Sequence, residues 1–297
     1  MVDDHGSITE AVFAQVIPGR QARLPRTDDE YIGTRPVSEG VGVHLLNNSG
    51  TLTPMIGTSR DGDVLTIELQ RERQRNALNY ELVEALSVAM TDAAGAGVRA
   101  IVLTGQGTVF CAGADLSGPV YEQSFLDELL AMLRVVESIP VPVIAALNGA
   151  ALGAGLQLAM AADLRVMSPS AWCGIPAAKI GVTVDEWTIK RLVSLVGAGD
   201  AAGILIGCDS LSADRAAAVG FANRIGDLAE AQQWAASIAA LAPLTLQHYK
   251  LVLGDDGARD EAAPDHVAAM VRAWQSQDVA EGRAARAERR QPNFIGK

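Results

Sequence analysis

The stretch Gly149–Asp163, "GAALGAGLQLAMAAD", reads as the end of a buried strand, a glycine-rich turn and the first turns of a helix. Small residues at such a turn let a backbone approach a ligand closely, and the start of the helix offers unpaired N–H groups to it. A site built here for proton chemistry would carry an acid on the new helix. The residue in that place is Gln157, a neutral amide.

Strands and helices alternate on both sides of this turn. Before it, "VPVIAALNG" (Val141–Gly149) and "RAIVLTG" (Arg99–Gly105) are apolar runs with no polar face, the pattern of strands covered on both sides. Val64–Leu69 reads as a further strand. Asn79 is placed to cap a helix through about Ala93, whose Leu82, Val83, Leu86, Ala89, Met90 and Ala93 share one face. A second helix is expected near Glu122–Ser138, and "DLRVMS" is a strand after the glycine turn. Beyond about Thr183 the chain reads as helices to its end, the last near Asp278–Arg290. The class is α/β with a helical C-terminal third. Residues 1–54, rich in proline and glycine and without periodicity, read as an extension with little structure of its own. Met55 then opens "MIGTSRDGDVLTIEL", which has the look of a native start. The division expected is 1–54, a core over 55–247 and a helical region over 248–297.

Composition narrows the function. The 297 residues are 49% hydrophobic and carry a net charge of −11, which argues against nucleic acid as a partner. No apolar run reaches membrane-spanning length, and the N-terminus lacks a signal-peptide pattern. Cys111, Cys173 and Cys208 are far apart and match no zinc spacing, which suggests reduced thiols in a cytoplasm and no bound metal. Two basic clusters, "QRERQRN" (Gln70–Asn76) and "RAARAERR" (Arg283–Arg290), fit solvated charges or local anion binding.

Two small-residue turns follow two buried strands: "FCAGADL" (Phe110–Leu116) and "NGAALGAGLQLA" (Asn148–Ala159). Each alone suits tight helix–strand packing. Together they suit a pair of N–H groups aimed at one carbonyl oxygen. A dinucleotide site is a poor fit, because "GAGLQL" has Leu158 where the third glycine of the fingerprint belongs. His5, His44, His248 and His266 lie outside both turns, which weakens any Ser–His or Cys–His scheme.

With these turns, "RNALN" (Arg75–Asn79), "IVLTGQGTVFCAGADL" (Ile101–Leu116), "PVIAALNGAALGAGLQLAMAADLRV" (Pro142–Val166) and "KRLVSLVG" (Lys190–Gly197), the chain from about Ile56 to Lys297 resembles the crotonase, or enoyl-CoA hydratase, superfamily. More narrowly, it resembles mycobacterial members tied to long-chain acyl-CoA supply for mycolic acids. The resemblance implies a crotonase-like spiral of ββα units and a helical C-terminal trimerisation region, giving a homotrimer or hexamer. It implies a coenzyme A thioester as ligand, no separate cofactor, and enzymes of fatty-acid synthesis or activation as candidate partners. The thioester oxygen would accept from the N–H groups of Ala114 and Ala154. The rest of the CoA would lie along Arg75, Ala77, Ala112, Asp115 and Leu116, with Arg75 and Arg73 near phosphates. Family members often carry proline where Glu72 stands. Gly153, Gln157, Pro176, Ala177 and Asp185 would border the acyl group. Tyr121, Phe125 and Leu129 fit either core packing or the wall of an acyl-tail pocket.

The resemblance also marks two departures. Hydratases of this family use two glutamates, and the corresponding positions hold Gln157 and, in "CGIPAAKIG" (Cys173–Gly181), Ala177. Neither residue titrates, so hydratase activity is expected at or near background. Asp185 and Glu186 in "TVDEW" offer the nearest remaining acids, as in superfamily isomerases or dehalogenases. The stronger reading of the pair is a capping box, Thr183-x-x-Glu186, with Asp185 in the first turn of a helix running to Leu195. Trp187 suits packing or a pocket wall.

Overall fold

The structure is a computed structural model that describes residues 55–118, 121–254 and 264–295; the expected extension over residues 1–54 lies outside them. The first hairpin pairs β1 (Ile56–Asp61) with β2 (Val64–Leu69) antiparallel. After α1 (Tyr80–Gly95), a unit repeats: a long strand, a short strand, then a helix or helical turn. The units are β3 (Ala100–Gly105), β4 (Val109–Cys111) and α2 (Gln123–Ser138); then β5 (Val143–Leu147), β6 (Ala150–Leu152) and α3 (Ala154–Ala161); then β7 (Leu164–Met167), β8 (Trp172–Gly174) and a 3-10 turn over Ala177–Ile180. The long strands join one six-stranded sheet, in the order β1-β2-β3-β5-β7-β10, where β10 is Arg224–Ile225. The short ones form a second sheet, β4-β6-β8-β9, where β9 is Leu211–Ser212. β2, β3, β5, β7 and β10 pair in parallel, as do β4, β6 and β8.

The elements form for local reasons. Every residue of β3 and β5 is buried, as their apolar runs require. The Asn79 side chain accepts from the Leu82 N–H at 3.1 Å and starts α1. The six residues expected on the apolar face of α1 are all buried there. After β8 come α4 (Glu186–Leu205), α5 (Ala213–Ala218), α6 (Leu228–Ala239), α7 (Pro243–Gly254), α8 (Pro264–Trp274) and α9 (Gln277–Glu288).

Several expectations need correction. The C-terminal third is not wholly helical, since β9 and β10 interrupt it; two residues each are too short to show alternation. β4 and β6 lie inside stretches that read as turns. The capping box over Thr183 and Glu186 is absent. The N-cap of α4 is Asp185, and its side chain bonds no backbone N–H of the helix. Glu186 instead meets Lys190 and His266. α4 also passes Leu195 and continues through a break at Gly197 to Leu205. The expected division between residues 247 and 248 falls inside α7.

α7 inverts the usual rule for a packed helix. Its buried residue is Lys250, whereas Leu244, Leu251 and Leu253 are 77%, 74% and 73% exposed. The Lys250 ammonium donates to the carbonyls of Val136 (3.1 Å) and Val141 (3.0 Å) and to the Asp163 carboxylate (2.7 Å). Asp163 also accepts from the Val143 N–H. One cation thus ties α7 to the end of α2 and the start of β5. Lys250→Met leaves two carbonyls and a carboxylate short of a partner, and should cost about 2–4 kcal/mol in chemical denaturation. A loss below about 0.5 kcal/mol would contradict this role for Lys250.

Candidate functional site

The two small-residue turns meet because the strands before them are neighbours. β4 and β6 pair in parallel, with Cys111 opposite Ala151, so Ala112–Ala114 and Leu152–Ala154 leave the sheet side by side. Gly113 has φ +99°, and a Cβ there would stand 2.7 Å from the Leu152 carbonyl oxygen and 3.7 Å from the Ala154 nitrogen. Gly153, at φ 51° and ψ −117°, turns the chain from β6 into α3.

This geometry leaves two amides unspent. Ala114 bridges to Leu78, but the bridge is made by the Leu78 N–H to Gly113 and the Asp115 N–H to Leu78, each at 2.8 Å. The Ala114 N–H therefore points to the other side. Ala154 opens α3, so its N–H has no acceptor within the helix. Two backbone donors on touching turns have the chemistry to serve one carbonyl oxygen, at a helix N-terminus whose dipole favours negative charge.

On the helix that Ala154 opens sits Gln157, 6% exposed. Its amide nitrogen donates to Asp185 Oδ1 at 3.2 Å and to Thr188 Oγ1 at 2.5 Å. The Thr188 hydroxyl in turn donates to Asp185 Oδ1. Thr188 is fully buried, and sequence reasoning passed over it. Its place one turn after Asp185 on α4 was a usable signal. Ala177 begins the 3-10 turn after Pro176 and has no polar side-chain atom to add.

The other expected residues divide by environment. Asp115 pairs with Arg71 at 2.9 Å and accepts from the Ser117 N–H and hydroxyl. Burial works to raise its pKa, but the Ser117 and Arg71 bonds outweigh that and hold it below the usual carboxylate range. Arg73 and Arg75 are exposed, and Arg75 takes a left-handed conformation (φ 53°) beside buried Ala77. Ala112 and Leu116 are half-buried on the same turn. Cys111 lies just ahead of the turn, where burial pushes its thiol up to about 12, so it supplies no thiolate at neutral pH.

Phe125 and Leu129 are buried in the core, with Phe125 edge-on to Tyr80 at 5.3 Å. Tyr121 lies under the Arg283 guanidinium, 4.6 Å from its ring centre. The open cleft beside Asp185, about 590 Å³, is bordered instead by Leu130 and Arg134 of α2, Trp187 and Lys190 of α4, and His266 and Met270 of α8. Phe125 and Leu129 thus lie on the buried face of α2, and neither borders this cleft. No cluster of metal-binding side chains occurs among the described residues, nor does any helix there have the length and apolarity to cross a membrane.

Comparison with known proteins shows what the chain is similar to. The enoyl-CoA hydratase/isomerase family model matches residues 59–297. A Mycobacterium leprae protein named "Probable enoyl-CoA hydratase echA6" is 52% identical over 246 residues, covering 82% of this chain and all of its own. Its counterpart from Mycobacterium tuberculosis is 53% identical over 242 residues, again 82% of this chain and all of the other. A methylmalonyl-CoA decarboxylase solved in complex with 2-nitronate-propionyl-CoA superposes with a TM-score of 0.76 at 25% identity, over 82% of this chain and 99% of that one. The spiral of paired strands and helices, the two touching turns and these likenesses place the chain in the enoyl-CoA hydratase/isomerase family.

Proposed function

We propose that this protein binds fatty acyl-CoA thioesters, long-chain ones in particular, in lipid metabolism, and does not hydrate 2-enoyl thioesters. One observation carries the reading. Beside the N–H pair, the only side chain at the expected acid position on α3 is the Gln157 amide, with its nitrogen spent on Asp185 and Thr188. Hydration needs a base for water and an acid for the α-carbon, each worth roughly 10²–10⁴-fold. Gln157 and Ala177 supply neither. The N–H groups of Ala114 and Ala154 still polarise a thioester carbonyl, and that holds an acyl group without converting it. The decarboxylase neighbour, solved with a propionyl-CoA analogue, supports a CoA thioester as the ligand class.

A second reading rests on Asp185. Its carboxylate makes no cap bond and borders the cleft. A reaction that needs a single acid, such as double-bond isomerisation or thioester hydrolysis, fits that position.

The exposed apolar side chains of α7 support a homotrimer, or a hexamer of paired trimers, built on this helix. Analytical ultracentrifugation should give a species of three or six protomers that Leu251→Glu disperses; a monomer at micromolar concentration would count against it.

Incubation with a series of 2-enoyl-CoA thioesters, followed by mass spectrometry, tests the main reading. Substrate should come back without added water, while longer acyl chains raise the melting temperature more. Hydration at catalytic rates would overturn the binder. A moved double bond or released acid that disappears in Asp185→Asn would establish the second reading.

A further inference from the structure

The site described so far leaves Arg71 without a task beyond its pair with Asp115. It opens the basic stretch Arg71–Asn76, yet it does not face solvent as its neighbours Arg73 and Arg75 do. One guanidinium nitrogen donates to the Ala77 carbonyl and the other to Asp115 Oδ2 at 2.9 Å. Ala77 and Asp115 are the residues next to Leu78 and Ala114, the two partners of the isolated bridge. The planar fork therefore grips both sides of the bridge that aims the Ala114 N–H.

The grip has support behind it. The Arg71 N–H donates to Asn76 Oδ1 at 3.1 Å, and the Arg71 carbonyl accepts from the amides of Gln74 and Asn76. Asn76 is fully buried, takes φ 56°, and fastens its amide to the carbonyls of Gln106 and Val109, at either end of the turn from β3 into β4. On the other side, Asp115 Oδ1 is taken by Ser117, so its two oxygens face two separate anchors. A planar guanidinium held by two acceptors at once, one of them a carboxylate, is fixed in direction as well as distance.

We propose that Arg71, through Asp115, is a positioning residue for the thioester carbonyl: it sets the direction of the Ala114 N–H and neither needs to touch the ligand. The proposal rests on the acyl-CoA reading above. It separates Arg71 from Arg73 and Arg75, whose exposed guanidinium groups are free to meet a phosphate.

The test compares two probes on the full chain: palmitoyl-CoA and its thioether analogue, S-hexadecyl-CoA, which has no carbonyl oxygen. The unmodified protein should prefer the thioester, and Asp115→Asn should lose about five- to tenfold of that thioester-over-thioether ratio, whatever the common CoA portion contributes to both probes. Arg71→Lys, which keeps the charge and loses the fork, should show the same selective loss. Equal weakening of both probes, or a drop in melting temperature with the preference intact, would make the pair merely structural and overturn the proposal. Failure of the unmodified protein to bind either probe would instead remove the acyl-CoA reading, and the proposal with it.

Discussion

The close approach of Gly113 to the backbone of Leu152–Ala154 is the constraint on which the rest of the site depends. A side chain at Gly113 would meet the Leu152 carbonyl at 2.7 Å and force the turns apart. The contact exists because β4 and β6 are neighbours in the small sheet, and they are neighbours because β3 and β5 are neighbours in the large one. The first two repeats of the spiral thus bring their turns together. The N–H groups of Ala114 and Ala154, from different repeats, are left without a backbone acceptor there. Such donors cost nothing to orient when a carbonyl arrives, because the fold has already oriented them.

What surrounds that pair decides between chemistry and retention. A general acid or base needs a titratable group within reach of the reacting atoms. Gln157 sits at the natural place for one and is locked by two acceptors from α4. The same lock holds Asp185 against Thr188 and keeps the start of α4 in contact with α3. These bonds join Gln157, Thr188 and Asp185 into one polar network, and a network shielded from water resists rearrangement. On this account, Arg71 and Asp115 do for the first turn what the α3 helix start does for the second.

Much of this was readable before any coordinates. The uninterrupted apolar runs of β3 and β5 marked covered strands, and Asn79 marked the start of α1. Gly113 and Gly153 marked turns that a backbone must approach closely. What the sequence hid follows from length and distance. β4, β6, β9 and β10 are two or three residues long, too short for any period to show. Asp185 read as a cap because spacing along one helix is visible in sequence, whereas its bond to Gln157 crosses 28 residues. Phe125 and Leu129 shared a helical stripe that suited a pocket wall equally well, and only packing against Tyr80 and the core separates the two stripes of α2. Lys250 gave no sign at all, since a buried lysine on a helix of exposed leucines breaks the rule by which helix faces are read.

The measurement that reaches the central claim most directly is the infrared stretch of a palmitoyl-CoA labelled with ¹³C at the thioester carbonyl, free and bound to the protein. Two N–H donors at that oxygen weaken the carbonyl bond, so the bound band should move to lower frequency while the ligand is recovered unchanged. A bound ligand whose carbonyl band stays where it is in water would mean that the Ala114 and Ala154 N–H groups do not hold the thioester, and the account of this site would fail.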